Sequence, residues 1–209
     1  ATTGNGRNQT KNPDNGFALT GKLELFPLGA FKNDGTNFEG DIVRESKPKL
    51  MLSGAFHRNV KARLTQGVLG DDLFDKRNME SILLDGMLKY NGWSLMSTFM
   101  NRNSNNPITV NPNDVSDIRF VYVGEGTDYQ LSYLFLNNLE LIGRFSNQRV
   151  YRDIKQLAPD TKQFSFGVTK YFWEHAFKLQ TELSYDQQYF YTGNQRDSWY
   201  MRFQVEIGI

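Results

Sequence analysis

Six basic side chains are the residues of this sequence that could do chemistry together, because all fall on the polar positions of segments in which polar and apolar residues alternate. They are Lys22, Lys89, Arg102, Arg144, Lys178 and Arg202. Acidic residues occupy the same polar positions: Glu24, Asp85, Glu140, Glu182 and Glu206. Cations on a wall that faces water can attract anions, whereas cations opposite acids on neighbouring strands form ion pairs. Because the two signs are nearly balanced, we expect pairing for most of these cations and only a weak attraction for anions.

The sequence offers little for catalysis. Its two histidines, His57 and His175, are expected at opposite ends of their strands, too far apart to share a zinc ion or a catalytic triad. Cysteine is absent, which excludes disulfides, thiolate catalysis and cysteine-based metal sites. The acidic run from Asp71 to Asp75 could bind calcium, although a solvated loop is the favoured interpretation. We therefore expect no enzyme, no metal site and no cofactor.

The elements that must position these side chains are strands, because alternation with a period of two runs along most of the chain. The last segment shows it: apolar Trp199, Met201, Phe203, Val205, Ile207 and Ile209 alternate with Tyr200, Arg202, Gln204, Glu206 and Gly208. The pattern predicts about nine strands, at 17–25, 50–57, 82–90, 93–102, 129–135, 139–146, 164–169, 177–185 and 199–209. No helical period competes with them, so the sequence predicts an all-β fold.

Composition narrows the class of β protein. The 209 residues carry a formal net charge of +1, which gives no support for nucleic-acid binding. Mean hydropathy is −0.56 and aromatic residues make up 14%. A polar average with many aromatic residues suits a transmembrane β-barrel, because half of each spanning strand faces water. The first residues lack the pattern of a signal peptide, so we expect a chain that is mature, processed or partial.

The predicted connections alternate between short and long. Asn91-Gly92 is a preferred two-residue hairpin turn, and 136–138 and 173–176 are also short. The gaps at 59–78, 103–126, 147–162 and 187–196 are long. Outer-membrane barrels show this asymmetry, with tight periplasmic turns and long outer loops. The connection from Pro27 to Pro48 is the exception, since it is long where a short turn is expected.

The predicted strand count is odd, and bacterial outer-membrane barrels have an even number of strands. Three explanations remain open at this point. An odd number of strands is missing upstream, another chain supplies them, or a further strand lies in the loop after Arg102, where Ile118, Phe120 and Tyr122 are candidates.

Aromatic residues are concentrated at the predicted strand ends, in two bands. One band lies at the short turns and the other at the opposite ends of the strands. Such bands are typical of the girdles that sit at the two membrane interfaces, where aromatic rings anchor the protein. The residues predicted to form the girdles are Tyr90, Trp93, Phe135, Trp173, Phe177 and Trp199.

Four segments also carry a resemblance to a known family. They are LELFPLGAFKNDGTNFEGDIVRESKPKL (23–50), LLDGMLKYNGWSL from Leu83, GTDYQLSYLFLNNLELIGRFS from Gly126, and FSFGVTKYFWEHAFKLQTELSY from Phe164. In this order they resemble the phosphate-selective porin O/P family of Bacteroidetes. The resemblance implies a barrel of about sixteen strands, of which this chain would be the C-terminal half, and a preference for phosphate or other anions. One departure is that the chain ends in Ile209 rather than in an aromatic residue.

These observations give one main expectation and two rivals. Residues 1–16 are expected to be a polar Asn/Gly-rich outer loop, and 17–209 the C-terminal portion of a single barrel domain. The expected function is that of a porin in the bacterial outer membrane, through which small polar solutes, notably anions such as phosphate, diffuse passively. The alternatives are a structural barrel subunit of a larger outer-membrane complex and a soluble all-β binding module.

The expected partners follow from a location in the bacterial outer membrane. They are the lipid bilayer, lipopolysaccharide, small anionic solutes and either further copies in a homotrimer or a larger outer-membrane complex, without nucleic acid. The solute, the pore radius and the oligomeric state are left open by the sequence.

Overall fold

The computed structural model describes residues 1–3, 16–174 and 176–208. In this part of the chain the strands are β1 Thr2–Thr3, β2 Phe17–Leu25, β3 Lys49–Leu64, β4 Asp72–Tyr90, β5 Trp93–Ser104, β6 Ile108–Asn111, β7 Asp114–Phe120, β8 Gly124–Leu134, β9 Leu139–Val150, β10 Asp160–Trp173, β11 Phe177–Tyr189 and β12 Gln195–Ile207. Short 3-10 helices span Lys32–Asn37 and Arg152–Ile154. No helix of the described residues has the length and apolar content needed to cross a membrane.

One antiparallel sheet contains all nine predicted strands, so the prediction of an all-β antiparallel fold is confirmed. Its strand order in the described residues is β1-β2-β3-β4-β5-β8-β9-β10-β11-β12, and β1 adds only two residues. The two edges do not pair with each other, so the described residues form an open sheet rather than a closed barrel. Edge strands left unpaired present free backbone donors and acceptors to any further strand.

The hairpin turns follow from residues that tolerate positive φ. Asn91 and Gly92 have φ of 47° and 88°, the combination that a type I′ turn between β4 and β5 requires. Asn138 has φ of 61° in the turn between β8 and β9. The predicted short connections are therefore found where the sequence placed them.

The long connections run over 65–71, 105–123, 151–159 and 190–194. All four are shorter than predicted, because the flanking strands continue past their alternating portions. The candidate extra strand is also different from the expectation. Ile118 and Phe120 belong to β7, which pairs only with β6 in a separate two-stranded sheet, and Tyr122 lies outside any strand. Because β7 adds no strand to the main sheet, a further strand in the loop after Arg102 does not explain the odd strand count, and that prediction is wrong.

The two faces of the sheet differ in chemistry, although Met51, Met87 and Met96 also lie on the polar face. Apolar side chains pair with apolar side chains across neighbouring strands, as in the register row Tyr129, Phe145, Phe164, Tyr185 and Trp199 on β8 to β12. This apolar face is exposed even at the middle of the sheet, where Leu84 is 51% and Phe166 56% exposed. On the other face, polar residues pair in the same way, as in Asp85 opposite Thr98 and Asp128 opposite Thr98 and Ser146.

The hairpin of β3 and β4 extends beyond the apolar face. Phe56 opposite Ile82 is the last apolar pair of this hairpin on that face. The next pair outward on the same face is Arg58 opposite Glu80, whose side chains form an ion pair at 3.4 Å. The apolar surface of the hairpin therefore ends abruptly at a pair of opposite charges.

Buried apolar residues collect at the two ends of the polar face. At the long-loop end, the buried cluster comprises Ala62, Leu73, Met79, Val121, Val123, Val150, Ile154 and Ala158. At the short-turn end, Phe31 packs with Met51 and Met87. Both clusters form because connecting segments fold back onto the polar face, which positions the candidate site between them.

Candidate functional site

A segment of the connection between β2 and β3 crosses the polar face of the sheet. We name Phe31–Glu45 the crossing segment. Its carbonyl at Glu39 accepts a hydrogen bond from Ser94 Oγ of β5 at 2.6 Å, and Glu39 Oε2 accepts one from Gln130 Nε2 of β8 at 3.2 Å. Gly40 then reaches Glu140 of β9. From β4 to β10 the segment covers five strands, about 19 Å at the usual strand spacing.

This placement explains the connection that the sequence left as an exception. The crossing segment lies at the end of the sheet where the short turns are, since Gly92 N–H donates to Asp41 Oδ2 at 2.8 Å. Arg44 also donates to the carbonyl of Leu134, at the adjacent turn. The connection is therefore on the predicted side, and it is long because it folds back over the polar face.

Lys89 fastens the crossing segment to β4. Its Nζ donates hydrogen bonds to the carbonyls of Gly35 at 2.7 Å, Phe38 at 2.6 Å and Gly40 at 2.9 Å. These bonds use all three donors of the ammonium group. Lys89 lies on the predicted polar face, but it is only 2% exposed, so it organises the segment instead of presenting a charge to solvent.

Two buried carboxylates shape the crossing segment itself. Asp41 accepts hydrogen bonds from the backbone N–H of Glu45, at 3.1 Å, as well as from Gly92. Glu45 Oε1 accepts one from the backbone N–H of Lys32 at 2.6 Å. Both acids are buried, and their bonds to backbone donors help to hold the part of the segment after the 3-10 helix, residues 38–45, which has no regular secondary structure.

Gly40 packs directly on a buried acid and phenol pair. Tyr171 donates its hydroxyl hydrogen to Glu140 Oε2 at 2.5 Å, and Glu140 is 1% exposed. A Cβ atom on Gly40 would lie 2.8 Å and 2.9 Å from the two carboxylate oxygens. Only glycine allows so close an approach of backbone to side chain. Within the described residues, Glu140 Oε1 has no hydrogen-bond partner.

Three of the six predicted cations are paired with acids on the polar face. Lys22 lies 2.6 Å from Glu24, Arg144 lies 2.8 Å from Asp128, and Lys178 lies 3.0 Å from Glu206. The partner of Arg144 is an acid that the sequence reasoning did not single out. It became visible only through the register, because Asp128 of β8 is diagonal to Arg144 of β9.

The remaining two cations are Arg102 and Arg202, and Arg202 lies directly opposite Glu182 in the register of β11 and β12. Arg102 Nε donates to Ser81 Oγ at 3.2 Å, and the guanidinium of Arg202 lies 5.8 Å from the centre of the Tyr200 ring. Within the described part of the chain, neither forms an ion pair with an acid. Arg102 is half-buried on β5, whereas Arg202 is exposed on the edge strand β12.

Two cavities open on the polar face. A cavity of about 660 Å³ lies toward the long loops, lined by Arg102, Tyr122, Asp128 and Arg144 among others. Burial raises the pKa of the Tyr122 phenol above its ordinary value, so this group stays a neutral hydrogen-bond donor. A second cavity, of about 430 Å³, lies between the crossing segment and β8 to β12.

The second cavity brings several predicted residues together. Arg144, Lys178 and Arg202 line it from the wall, and Glu39 lines it from the crossing segment. Arg144 lines both cavities. The arrangement can hold and orient small polar molecules, and its charges are of both signs.

The predicted girdle residues occupy the apolar face or its borders. Trp93 contacts Tyr133 at 4.7 Å between ring centres, Phe177 stacks on Phe172 at 5.0 Å, and Trp199 stacks on Tyr185 at 4.6 Å. Phe135 contacts Tyr133 at 4.9 Å, and Tyr90 and Trp173 are exposed beside the turns. Sequence reasoning missed Tyr129 and Tyr133 as members of these bands. Tyr133 is paired with Trp93 by the register of β5 with β8, which the long connection 105–123 does not allow to be derived from the sequence.

The remaining candidate sites do not assemble. Asp72 lies 4.0 Å from Arg63 and Asp75 lies 3.8 Å from Arg77, so acids of the run 71–75 pair with arginines. No group of three or more potential metal ligands occurs in the described residues. His57 shares a hydrogen bond with Thr20 at 2.8 Å, whereas His175 and Ile209 lie outside the described residues.

Comparisons with known proteins found no matching family model, no matching curated protein and no matching solved structure. The features of this chain that bear on its function are therefore the apolar and polar faces of the sheet and the crossing segment.

Proposed function

We propose that this chain forms part of the wall of a porin in the bacterial outer membrane, through which small polar solutes, notably anions such as phosphate, diffuse passively. The observation that carries the proposal is the continuous exposed apolar face, set against a hydrogen-bonded polar face on the other side of the same strands.

The apolar face is too extensive for a surface in contact with water. It runs in register over all nine long strands, and its side chains at mid-sheet remain about half exposed. A soluble monomer rarely exposes a contiguous apolar patch of more than a few hundred Å². A second sheet packed on this face would bury it, as in a β-sandwich, and the described residues provide none. Lipid is the occupant that fits a face of this extent.

The aromatic bands support the same environment. Phe177 marks the short-turn end of β11 and Tyr185 lies in the row Tyr129–Trp199 near the opposite end. Eight residues of a strand tilted as in outer-membrane barrels rise about 20 Å along the membrane normal. That height agrees with the apolar band of such barrels, which is about 25 Å tall.

The open edges require further strands. A sheet edge cannot stay unpaired in hydrocarbon, because each free backbone group would cost several kcal/mol. Strands from the rest of a longer protein, or from another chain, would therefore close the wall. The resemblance noted in the sequence leads us to propose a barrel of about sixteen strands with this chain as its C-terminal half.

Anion preference depends on a small number of residues. With Lys22, Arg144 and Lys178 paired and Lys89 buried, Arg102 and Arg202 are the predicted cations left to attract an anion. The preference for phosphate that the resemblance implies therefore rests on these two arginines in this part of the wall.

The crossing segment favours a second candidate function. It covers the polar face over five strands at the short-turn end, and a lumen closed in this way would not conduct. The chain would then be a structural barrel subunit of a larger outer-membrane complex.

Ion conductance in a planar bilayer separates the two candidates. The protein extracted from outer membranes in detergent would be added to the bilayer, and reversal potentials recorded in asymmetric chloride before and after phosphate is added. Discrete channels with an anion-directed reversal potential would support the porin, and block by phosphate would identify the solute class. A folded protein that conducts no ions would support the structural subunit, and extraction into buffer without detergent would overturn both.

A further inference from the structure

The tip of the crossing segment, residues 38–40, is fixed to the sheet. Three successive carbonyls are hydrogen-bonded to the sheet: those of Phe38 and Gly40 to Lys89, and that of Glu39 to Ser94. The close contact of Gly40 with Glu140 fixes the same stretch from the far side. Because the backbone is hydrogen-bonded at three consecutive residues, Glu39 is held in its position.

Glu39 differs from its neighbours because its side chain is exposed. The adjacent acids Asp41 and Glu45 are buried and bonded to backbone groups, whereas Glu39 reaches Gln130 and lines the cavity of about 430 Å³. The wall of that cavity carries three of the predicted lumen cations and three acids: Arg144, Lys178, Arg202, Glu140, Glu182 and Glu206. The carboxylate of Glu39 is thus a negative charge added opposite a wall whose own charges are balanced.

We propose that Glu39 is a specificity-determining residue at a constriction that the crossing segment forms on the short-turn side of the lumen. This inference rests on the proposed porin function. Its carboxylate lowers the local concentration of anions and raises that of cations, which opposes the effect of the arginines on the wall. A solute that passes this point must be narrow enough to clear the crossing segment, and it meets a negative charge there.

The charge effect has a predictable size. Two unit charges 10 Å apart in water interact by about 0.4 kcal/mol, which changes a local ion concentration about twofold. Loss of the charge raises the local chloride concentration and lowers that of potassium, so Glu39→Gln is expected to raise the permeability ratio of chloride to potassium about fourfold, and Glu39→Lys about sixteenfold.

Asp34→Asn provides the matched control. Asp34 belongs to the same segment and loses the same charge, but it is exposed and does not line the cavity. Its substitution is expected to leave the permeability ratio at the wild-type value. Equal ratios in wild type, Glu39→Gln and Asp34→Asn, measured on conducting channels, would overturn the inference. Absence of channels in the wild type would instead overturn the proposed porin function.

The absence of cysteine makes a second, direct test possible. A Glu39→Cys variant would be treated with an anionic methanethiosulfonate reagent while single channels are recorded. We expect a stepwise fall in conductance, because the added group lies in the ion path. The same treatment of Asp34→Cys should leave the conductance unchanged. An unchanged conductance in both variants, with labelling confirmed by mass spectrometry, would place Glu39 away from the ion path and contradict the inference.

Discussion

Gly40 of the crossing segment and Glu140 of β9 approach so closely that a single added carbon atom on Gly40 would lie 2.8 Å from Glu140 Oε1. Glu140 cannot easily move away, because it is buried and receives the hydroxyl hydrogen of Tyr171. The fit between segment and wall therefore depends on the absence of a side chain at position 40.

Gly40→Ala is expected to destabilise the protein by about 1–3 kcal/mol, the usual cost of overpacking. The measurement is the thermal unfolding midpoint in detergent, followed by circular dichroism. Gly143→Ala is the matched control, since a Cβ atom at Gly143 meets nothing within 4 Å. If both variants melted at the wild-type temperature, the packing of the segment on Glu140 would be wrong.

Lys89→Met is expected to release the crossing segment, because three carbonyls would lose their donor. Each buried carbonyl left without a partner costs about 1–3 kcal/mol. Ser94 is buried beneath the segment, so a Ser94→Cys thiol reports its release. We expect its reaction with a maleimide to be roughly tenfold faster in the Lys89→Met background, equivalent to about 1.4 kcal/mol of easier opening.

The control for this experiment is Lys22→Met, which removes an exposed lysine that pairs with Glu24. In the double variant Lys22→Met with Ser94→Cys, the thiol should react with the maleimide as fast as it does in Ser94→Cys alone. If the thiol reacted equally fast with and without Lys89→Met, Lys89 would not be the residue that holds the crossing segment.

Leu183→Lys tests whether the apolar face contacts lipid. Leu183 lies on the apolar face between the bands at Phe177 and Tyr185. A lysine there would cost part of the roughly 2–4 kcal/mol that it costs at the bilayer centre, whereas an exposed lysine in water costs little. We expect a marked loss of folded protein in liposomes, measured by the shift between folded and heat-denatured forms on gels. Gln180→Lys places the same residue on the polar face of the same strand and should fold normally. Equal folding yields would argue against lipid contact.

Arg102→Gln and Arg202→Gln are each expected to reduce the permeability ratio of chloride to potassium about fourfold, if each charge acts on both ions from about 10 Å. The control is the double substitution Arg144→Gln with Asp128→Asn. It removes an ion pair of 2.8 Å and leaves the net charge unchanged, so the reversal potential should not shift. A shift caused by the double substitution alone would assign the selectivity to Arg144.

Alternation and turn chemistry made the sheet predictable. A period of two is a local property of the sequence, and Asn91-Gly92 fixes both a turn and the register of β4 with β5. The faces of the six cations followed from the same parity. The alternation does not show whether another segment covers a cation. Lys89 and Arg144 have the same parity, yet of these two Lys89 is the one buried beneath the crossing segment.

The crossing segment could not be predicted, because its contacts join residues far apart in the sequence. The carbonyl of Gly35 meets Lys89 at a separation of 54 positions, and Arg44 meets Leu134 at a separation of 90. The extension of β3 and β4 beyond their predicted ends could not be predicted for a different reason. Past Glu80 the β3–β4 hairpin leaves its apolar surface, and the alternation that identifies a strand fades there.

That hairpin has a consequence for experiments on orientation. The residues Asp72–Met79 continue β4 beyond the charged pair Arg58–Glu80, and they pair with the last six residues of β3, a rise of about 15 Å above that pair at the usual tilt. The buried cluster around Ala62 and Met79 packs at its base, so in the proposed porin the tip of the hairpin would stand clear of the lipid surface. An epitope inserted at Gly70 would be read by an antibody on intact cells without any contact with the bilayer. Such a tag would report which way up the molecule is inserted.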